Sequence, residues 1–150
     1  GHIHLSVKDS RAASQFYQKV LGLEDKFSIP SASWIAAGKY HHHLAVNEWA
    51  GKGLGPREQG LPGLSYYVLE VESKEELLAI VKQAQEVEAP IKWLHSSELN
   101  LIDPDGIVSR IRLARWERDV IYFRDIEKGG QARILFLECE LVRFLWNDKG

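Results

Sequence analysis

The hydrophobic and polar positions of this chain follow the same pattern twice, in residues 2–20 and again in residues 66–84. In each copy, a short segment of alternating apolar and polar residues leads into a segment with apolar residues at helical spacing. The first arrangement is typical of a strand and the second of an amphipathic helix. The pattern therefore predicts two similar halves, in which His2 and Tyr66 occupy equivalent positions. A cleft formed between the paired halves would expose both residues.

Capping residues mark the ends of both predicted helices. In the first half, Asp9 or Ser10 can cap the start of the helix, and Gly22 can end it because glycine adopts positive φ easily. In the second half, Ser73 and Glu76 have the spacing of a capping box. These signals agree with the apolar periodicity and predict where each helix begins.

Three strand-like segments follow each helix. In the first half they are residues 23–29, 33–37 and 40–49, and in the second half residues 91–94, 99–102 and 107–113. The Gly- and Pro-rich residues 50–63 predict a linker, and Asp103-Pro104-Asp105-Gly106 predicts a turn. The halves are thus two βαβββ modules, at about residues 1–49 and 64–115, which make one domain over residues 1–115.

Residues 116–150 form an extension outside this repeat. The segments Val120 to Phe123 and Ile134 to Trp146, with a Gly129-Gly130 turn, suggest a hairpin or a strand and a helix. Such an extension could cover the edge of a sheet or form a contact between subunits. Its chemical role is open.

Composition limits the classes of protein that the chain can belong to. It has 150 residues, 45% of them hydrophobic and 27% charged, with a formal net charge of -2, so we expect a globular domain that binds no nucleic acid. One cysteine excludes an internal disulfide and a Cys-based zinc site. No apolar stretch is long enough for a membrane span, and we expect a cytoplasmic protein. Because the chain begins at Gly1, we expect that it could be part of a longer protein.

Several motifs resemble those of a known superfamily: GHIHLSVKDSRAASQFYQKVLGLE (1–24), AAGKYHHHLAVNEWAGKG (36–53), PGLSYY (62–67) and DPDG (103–106). With the order of elements, they are similar to the vicinal oxygen chelate superfamily, which includes glyoxalase I, bleomycin-resistance proteins and extradiol ring-cleavage dioxygenases. The histidine-rich motif most resembles modules of the catechol 2,3-dioxygenase type. The resemblance covers about residues 1–115. It implies an α+β fold whose paired βαβββ modules form an open curved sheet around a cleft, with the helices outside.

The resemblance also implies a site that holds Fe(II) through two histidines and one carboxylate. It assigns the first metal histidine to His2 and the proton-handling histidine, a catalytic base, to His42. The second metal histidine falls on Tyr66 and the carboxylate on Arg110. Tyrosine binds iron only as phenolate, and arginine stays protonated and cannot bind it at all. We therefore expect a degenerate site without a metal cofactor, unless other residues complete it for Fe(II) or Mn(II).

The other histidines follow from strand geometry. His4 shares a strand face with His2 and is expected to line the ligand cleft with it. In the predicted strand over residues 40–49, alternation places His42 on one face and His41 and His43 on the other, so the three cannot converge on one ion. The resemblance implies that His42 faces the cleft. Core packing is expected for the tryptophans Trp34, Trp49 and Trp93, with stacking on an aromatic ligand as the alternative.

Arg110 has two readings. It can form an ion pair with a nearby carboxylate such as Glu70 or Glu98, or it can contact an anionic ligand together with Tyr66 and His2. The second reading predicts a small phenolic or anionic molecule as the ligand.

Two functions remain open at this point. The chain can be an enzyme of the extradiol dioxygenase type, an oxidoreductase, with an unusual or externally completed metal site. Alternatively, it can be a metal-free module that binds a small ligand or has a structural role in a larger or oligomeric protein, as a homodimer or beside a second domain of the same type. We predict that the chain does not cleave catechols by itself.

Overall fold

The structure is a computed structural model that describes residues 1–55, 58 and 62–114, and the backbone of residues 137–142. Its elements in chain order are β1 (Ile3–Ser6), α1 (Ser10–Leu21), β2 (Glu24–Ile29), β3 (Ala32–Ala36), β4 (Leu44–Asn47), β5 (Gly63–Val71), α2 (Lys74–Glu86), β6 (Ile91–His95), β7 (Glu98–Ile102), β8 (Val108–Leu113) and β9 (Leu137–Val142).

Both modules have the same topology, as the sequence repeat predicts. The first sheet has the order β1-β4-β3-β2, and the second has the order β6-β7-β8-β5-β9. In each module the strand before the helix pairs in parallel with the last strand of that module, β1 with β4 and β5 with β8. The predicted α+β class with paired βαβββ modules is therefore confirmed.

The helices begin and end at residues that the sequence indicates. Asp9 caps α1 by accepting a hydrogen bond from the Ala12 amide at 2.8 Å, and Gly22 ends it with a φ of 66°. Ser73 caps α2 by accepting from the Glu76 amide at 3.2 Å. The Glu76 carboxylate accepts a hydrogen bond from the Glu72 amide at 2.8 Å, one residue before the cap.

The predicted open sheet consists of two separate sheets, one for each module. The hydrogen bonds of β5 explain this division, because β8 pairs with one edge of β5 and β9 pairs antiparallel with the other. A strand has two such edges, so β5 has none left for the first module. Within the extension, the segments Val120 to Phe123 and Gly129-Gly130 lie outside the described residues.

The two modules share one hydrophobic core. Helix α1 packs on the first sheet and α2 on the second, and the two helices contact each other. Tyr17 of α1 donates a buried hydrogen bond to the Asp103 carboxylate of the second module at 2.6 Å. Burial raises the pKa of Asp103, against the hydrogen bonds from Tyr17 and the Ile107 amide, which lower it. None of the described helices is long and apolar enough to cross a membrane.

Candidate metal and ligand site

One face of the first sheet carries aromatic side chains on the side opposite α1. Strand pairing aligns His4 with Ala45, Ala45 with Trp34, and Trp34 with Phe27, so these four side chains share a face. The following residue of β1, Leu5, points to the other face and is buried in the core. The alternation of β1 therefore directs the apolar side chain inward and the imidazole of His4 outward.

Trp49, just after β4, joins these side chains into a continuous surface. Its ring centroid lies 6.3 Å from that of His4 and 6.3 Å from that of Trp34, which is 5.5 Å from Phe27. We call His4, Trp49, Trp34 and Phe27 the aromatic row. Trp49 is 60% exposed, and Trp93 on β6 is 43% exposed. The expectation that these two tryptophans pack in the core is therefore wrong.

Three histidines meet at the end of this row nearest His4. His2, His41 and His42, which we call the imidazole cluster, each offer a ring nitrogen within 4.8 Å of the others. The ring centroids of His2 and His42 are 4.4 Å apart, and those of His41 and His42 are 4.5 Å apart. His4 lies beside the cluster, with its ring centroid 5.6 Å from those of His2 and His42.

The backbone of the loop between β3 and β4 explains this convergence. Gly38 has a φ of 60° and turns the chain, and β4 begins only at Leu44. His41 and His42 therefore precede the strand, and strand alternation does not govern their directions. The prediction that His41 and His42 lie on opposite faces of one strand is wrong, because it assumed a strand over residues 40–49.

His43 differs from its two neighbours. Its Nδ1 accepts a hydrogen bond from the Ala37 amide at 3.2 Å, within the turn that precedes β4. Burial first of all, together with neighbouring groups that include His41 and His42, lowers the pKa of His43 to about 4. His43 is thus a neutral part of the loop framework, with the ring of Tyr40 stacked 4.7 Å from it.

His42 is the least satisfied polar side chain of the cluster. Its Nε2 is buried and has no hydrogen-bond partner among the described residues. Burial lowers the pKa of His42, and the neighbouring His2, His41 and His4 lower it further. These effects favour the neutral imidazole, the form that can accept a proton or bind a metal ion.

On the second sheet, the other two positions expected for metal ligands carry Tyr66 and Arg110, and these two side chains contact each other. The guanidinium of Arg110 stacks over the ring of Tyr66, 3.6 Å from its centroid. Its Nε donates to the Asn100 amide oxygen at 3.1 Å and lies 4.0 Å from the Glu98 carboxylate, an ion pair that the sequence predicts. A fixed positive charge on a tyrosine ring cannot take part in a cation site, so Tyr66 and Arg110 do not fit the Fe(II) ligands of the resembled family.

The structure thus brings together His2, His4 and His42 among the residues singled out from the sequence, and it pairs Tyr66 with Arg110. His41 is the residue that sequence reasoning missed. The usable signal was Gly38, because a glycine close before three histidines indicates a turn in which alternation fails.

Comparisons with known proteins agree with this architecture. The family model described as the Glyoxalase/Bleomycin resistance protein/Dioxygenase superfamily matches residues 1–110. A protein named Catechol-2,3-dioxygenase from Bacillus subtilis (strain 168) is 42% identical over 79 residues. That match covers 51% of this chain but only 28% of the relative, so the chain spans a minor part of its length.

Solved structures with a similar fold have low sequence identity. A glyoxylase/bleomycin resistance protein/dioxygenase domain from Frankia sp. EAN1pec superposes with a TM-score of 0.62 at 18% identity, over 77% of this chain and 96% of that one. The fosfomycin resistance protein FosX from Listeria monocytogenes gives a TM-score of 0.57 at 17% identity, over 78% and 93% of the two chains. At such identities the likeness concerns the fold alone.

Proposed function

We propose a function for this chain from one premise: it belongs to the Glyoxalase/Bleomycin resistance protein/Dioxygenase superfamily. Our proposal is that the chain binds the catechol ring in an extradiol-type dioxygenase and does not cleave the ring by itself. The observation that carries the proposal is the 42% identity to a catechol-2,3-dioxygenase, over an aligned region that covers 51% of this chain. The superfamily has several activities, and the choice of catechol as the ligand is supported by the site residues described in the next paragraphs.

The aromatic row supports a planar phenolic ligand. Trp49 and Phe27 are 60% and 61% exposed, so their ring faces are available to a flat molecule from solvent. Aromatic pairs stabilise contacts by about 0.5–1.5 kcal/mol beyond the burial of their area. A catechol stacked near Trp49 would have its hydroxyl groups close to His4 and the imidazole cluster, whose ring nitrogens can form hydrogen bonds with them.

Arg110 supports the second half of the proposal, the lack of ring cleavage by the chain alone. Ring cleavage in the resembled enzymes needs a carboxylate ligand, and the position expected for it carries a guanidinium stacked on Tyr66. Because the matched relative is much longer than this chain, we propose that the missing carboxylate comes from outside these 150 residues.

The test measures binding and cleavage separately. Catechol is titrated into the chain while tryptophan fluorescence is recorded, and Trp49→Ala should weaken binding by about fivefold or more, as expected for the loss of about 1 kcal/mol of stacking. Trp93→Ala is the matched control, because it removes another exposed tryptophan on β6 of the second sheet. In a parallel assay with Fe(II) and O₂, the chain should give no coloured ring-fission product above the protein-free background.

Either arm can contradict the proposal. Equal binding by the Trp49→Ala and Trp93→Ala variants would remove the aromatic row as the catechol site. Ring-fission product that requires both the chain and Fe(II) would show that no outside carboxylate is needed.

The second candidate function is a metal-free module that binds a small anion at Arg110. The stack on Tyr66 favours a metal-free second sheet, but an anion would have to compete with Glu98, 4.0 Å from the Arg110 Nε. We therefore rank it below catechol binding. Thermal-shift screening with small carboxylates and phenols tests it, and a hit that disappears in Arg110→Ala but survives in Trp49→Ala would favour it.

A further inference from the structure

We infer that His2, His41 and His42 form a binding site for one divalent first-row transition metal ion, with His41 as a ligand. The site differs from the ligand set expected at positions 2, 66 and 110, and it shares only His2 with that set. It does not rest on the proposed catechol function, since each inference can fail without the other. Three side chains from two separate segments of the first module carry it.

The first argument is distance. The candidate ring nitrogens of the cluster lie within 4.8 Å of one another. Ligand nitrogens about 2.0–2.1 Å from a tetrahedral zinc ion are about 3.3 Å apart, so these nitrogens would have to approach one another by about 1.5 Å at most. His2 and His41 are exposed and can turn without repacking the core, while the half-buried His42 provides the fixed point.

The second argument is the unsatisfied nitrogen of His42. Its buried Nε2 has no partner in the part of the chain that the structure describes. Leaving a buried polar atom without a partner is costly, so such an atom in a native fold requires an explanation. A metal ion bound through Nε2 would satisfy this nitrogen, and it would use the imidazole as a neutral ligand.

The third argument concerns the ligand set. Imidazole nitrogens suit Zn(II), Co(II), Ni(II), Cu(II) and Fe(II), whereas Ca(II) and Mg(II) prefer oxygen. Three neutral imidazoles leave the full charge of the ion uncompensated and at least one coordination position open. Two further rings lie beside the cluster: that of Tyr40, 4.3 Å from His41, and that of His4, 5.6 Å from His2. A water molecule or an anionic oxygen ligand is the chemical class that would complete the site.

This site excludes one expected role for His42. A nitrogen that binds a metal ion cannot at the same time accept a proton, so His42 cannot be both a ligand through Nε2 and a catalytic base through that atom. The geometry points to the ligand role, because His2 and His41 lie close enough to share an ion with it.

The test titrates Co(II) into the untagged chain and follows the visible d–d absorption, with Zn(II) binding measured by calorimetry. We expect one ion per chain and an intense Co(II) absorption, which is typical of an ion with a low coordination number. His41→Ala and His42→Ala should each weaken binding by at least about tenfold, because even loss of a residue that only supports a ligand costs 10–100-fold. His95→Ala is the matched control, since His95 pairs with Glu98 at 2.7 Å on the second sheet.

The outcomes separate the alternatives. Circular dichroism establishes that each variant is folded, and His41 is exposed, so His41→Ala tests the site even if His42→Ala unfolds the loop. No stoichiometric Co(II) binding would overturn the inference. Binding that weakens in His2→Ala but stays unchanged in His41→Ala and His42→Ala would overturn it as well, because the ion would then use His2 and other groups.

Discussion

At the scale of single residues, Arg110 occupies the position where the resembled family has a metal-binding carboxylate, but its side chain has a different chemistry. A carboxylate at this position would face a cation, whereas the guanidinium lies on the Tyr66 ring and contacts Asn100 and Glu98. The stack uses the plane of the guanidinium, whereas the contacts with Asn100 and Glu98 both involve Nε. The planar guanidinium stacks on the ring, and its Nε–H donates along the plane, an arrangement that lysine could not reproduce.

We predict that Arg110→Ala destabilises the fold by about 1–2 kcal/mol, because it removes the stack and one hydrogen bond and leaves Glu98 without that neighbour. Urea unfolding monitored by circular dichroism measures the change. Lys92→Ala, on the exposed face of β6, is the control and should change the free energy of unfolding by less than about 0.5 kcal/mol. Equal effects of the two substitutions would mean that the stack contributes nothing to stability.

At the scale of secondary-structure elements, α1 holds the first module together. Its buried face contacts β2, β3 and β4, and its first turn approaches the loop after β4, where the Glu48 carboxylate accepts hydrogen bonds from the amide and hydroxyl of Ser10. These bonds lower the pKa of Glu48. The start of α1 thus determines the path of the chain into Trp49 of the aromatic row.

We predict that Asp9→Ala destabilises the protein by about 0.5–2 kcal/mol, the usual cost of losing an N-cap side chain. The Asp9 carboxylate accepts from the Ala12 amide at 2.8 Å, and alanine has no acceptor to replace it. Asp9→Asn keeps an acceptor and is the control, with an expected change near zero. Thermal and urea unfolding of the three proteins measure the effect, and an equal loss in both variants would point to the charge instead of the cap.

At the scale of the whole molecule, a buried polar network crosses between the two modules. Tyr17 donates to Asp103 at 2.6 Å, and Ser109 donates to the Tyr67 hydroxyl at 2.6 Å. Burial raises the pKa of Tyr17 well above its ordinary value, and the adjacent Tyr67 and Asp103 raise it further. Tyr17 therefore stays a neutral donor, and its bond to Asp103 links α1 to the turn before β8.

We predict that Tyr17→Phe lowers the free energy of unfolding by about 1–3 kcal/mol, because the Asp103 carboxylate loses a donor inside the core. The hydroxyl is removed while the ring that fills the core is kept. Tyr40→Phe is the control. Tyr40 is 41% exposed, so loss of its hydroxyl should leave no buried group without a hydrogen-bond partner. If the two variants had the same stability in urea unfolding, the link between modules would not contribute to the stability of the fold.

The sequence by itself determined the elements of this protein. Asp9, Gly22 and Ser73 mark helix ends through contacts within a few residues, so local chemistry is sufficient to predict them. The two modules follow from a pattern that occurs twice along the chain. The proximity of His4 in β1 and His2 just before it, with ring centroids 5.6 Å apart, also agrees with the sequence, because alternation is a local rule.

Only the tertiary structure decided the site. His41 meets His2 because the loop after β3 turns at Gly38 and the chain reaches β4 only at Leu44, and a strand pattern read from the sequence extends through this loop. Likewise, strand pairing between β1, β3 and β4 places His4 and Trp34 on one face, and Trp49, just after β4, contacts both rings. Strand pairing and loop direction depend on contacts between residues far apart in the chain. Local patterns carry no information about which such contacts form, and the meeting of His41 with His2 was therefore visible only in the folded molecule.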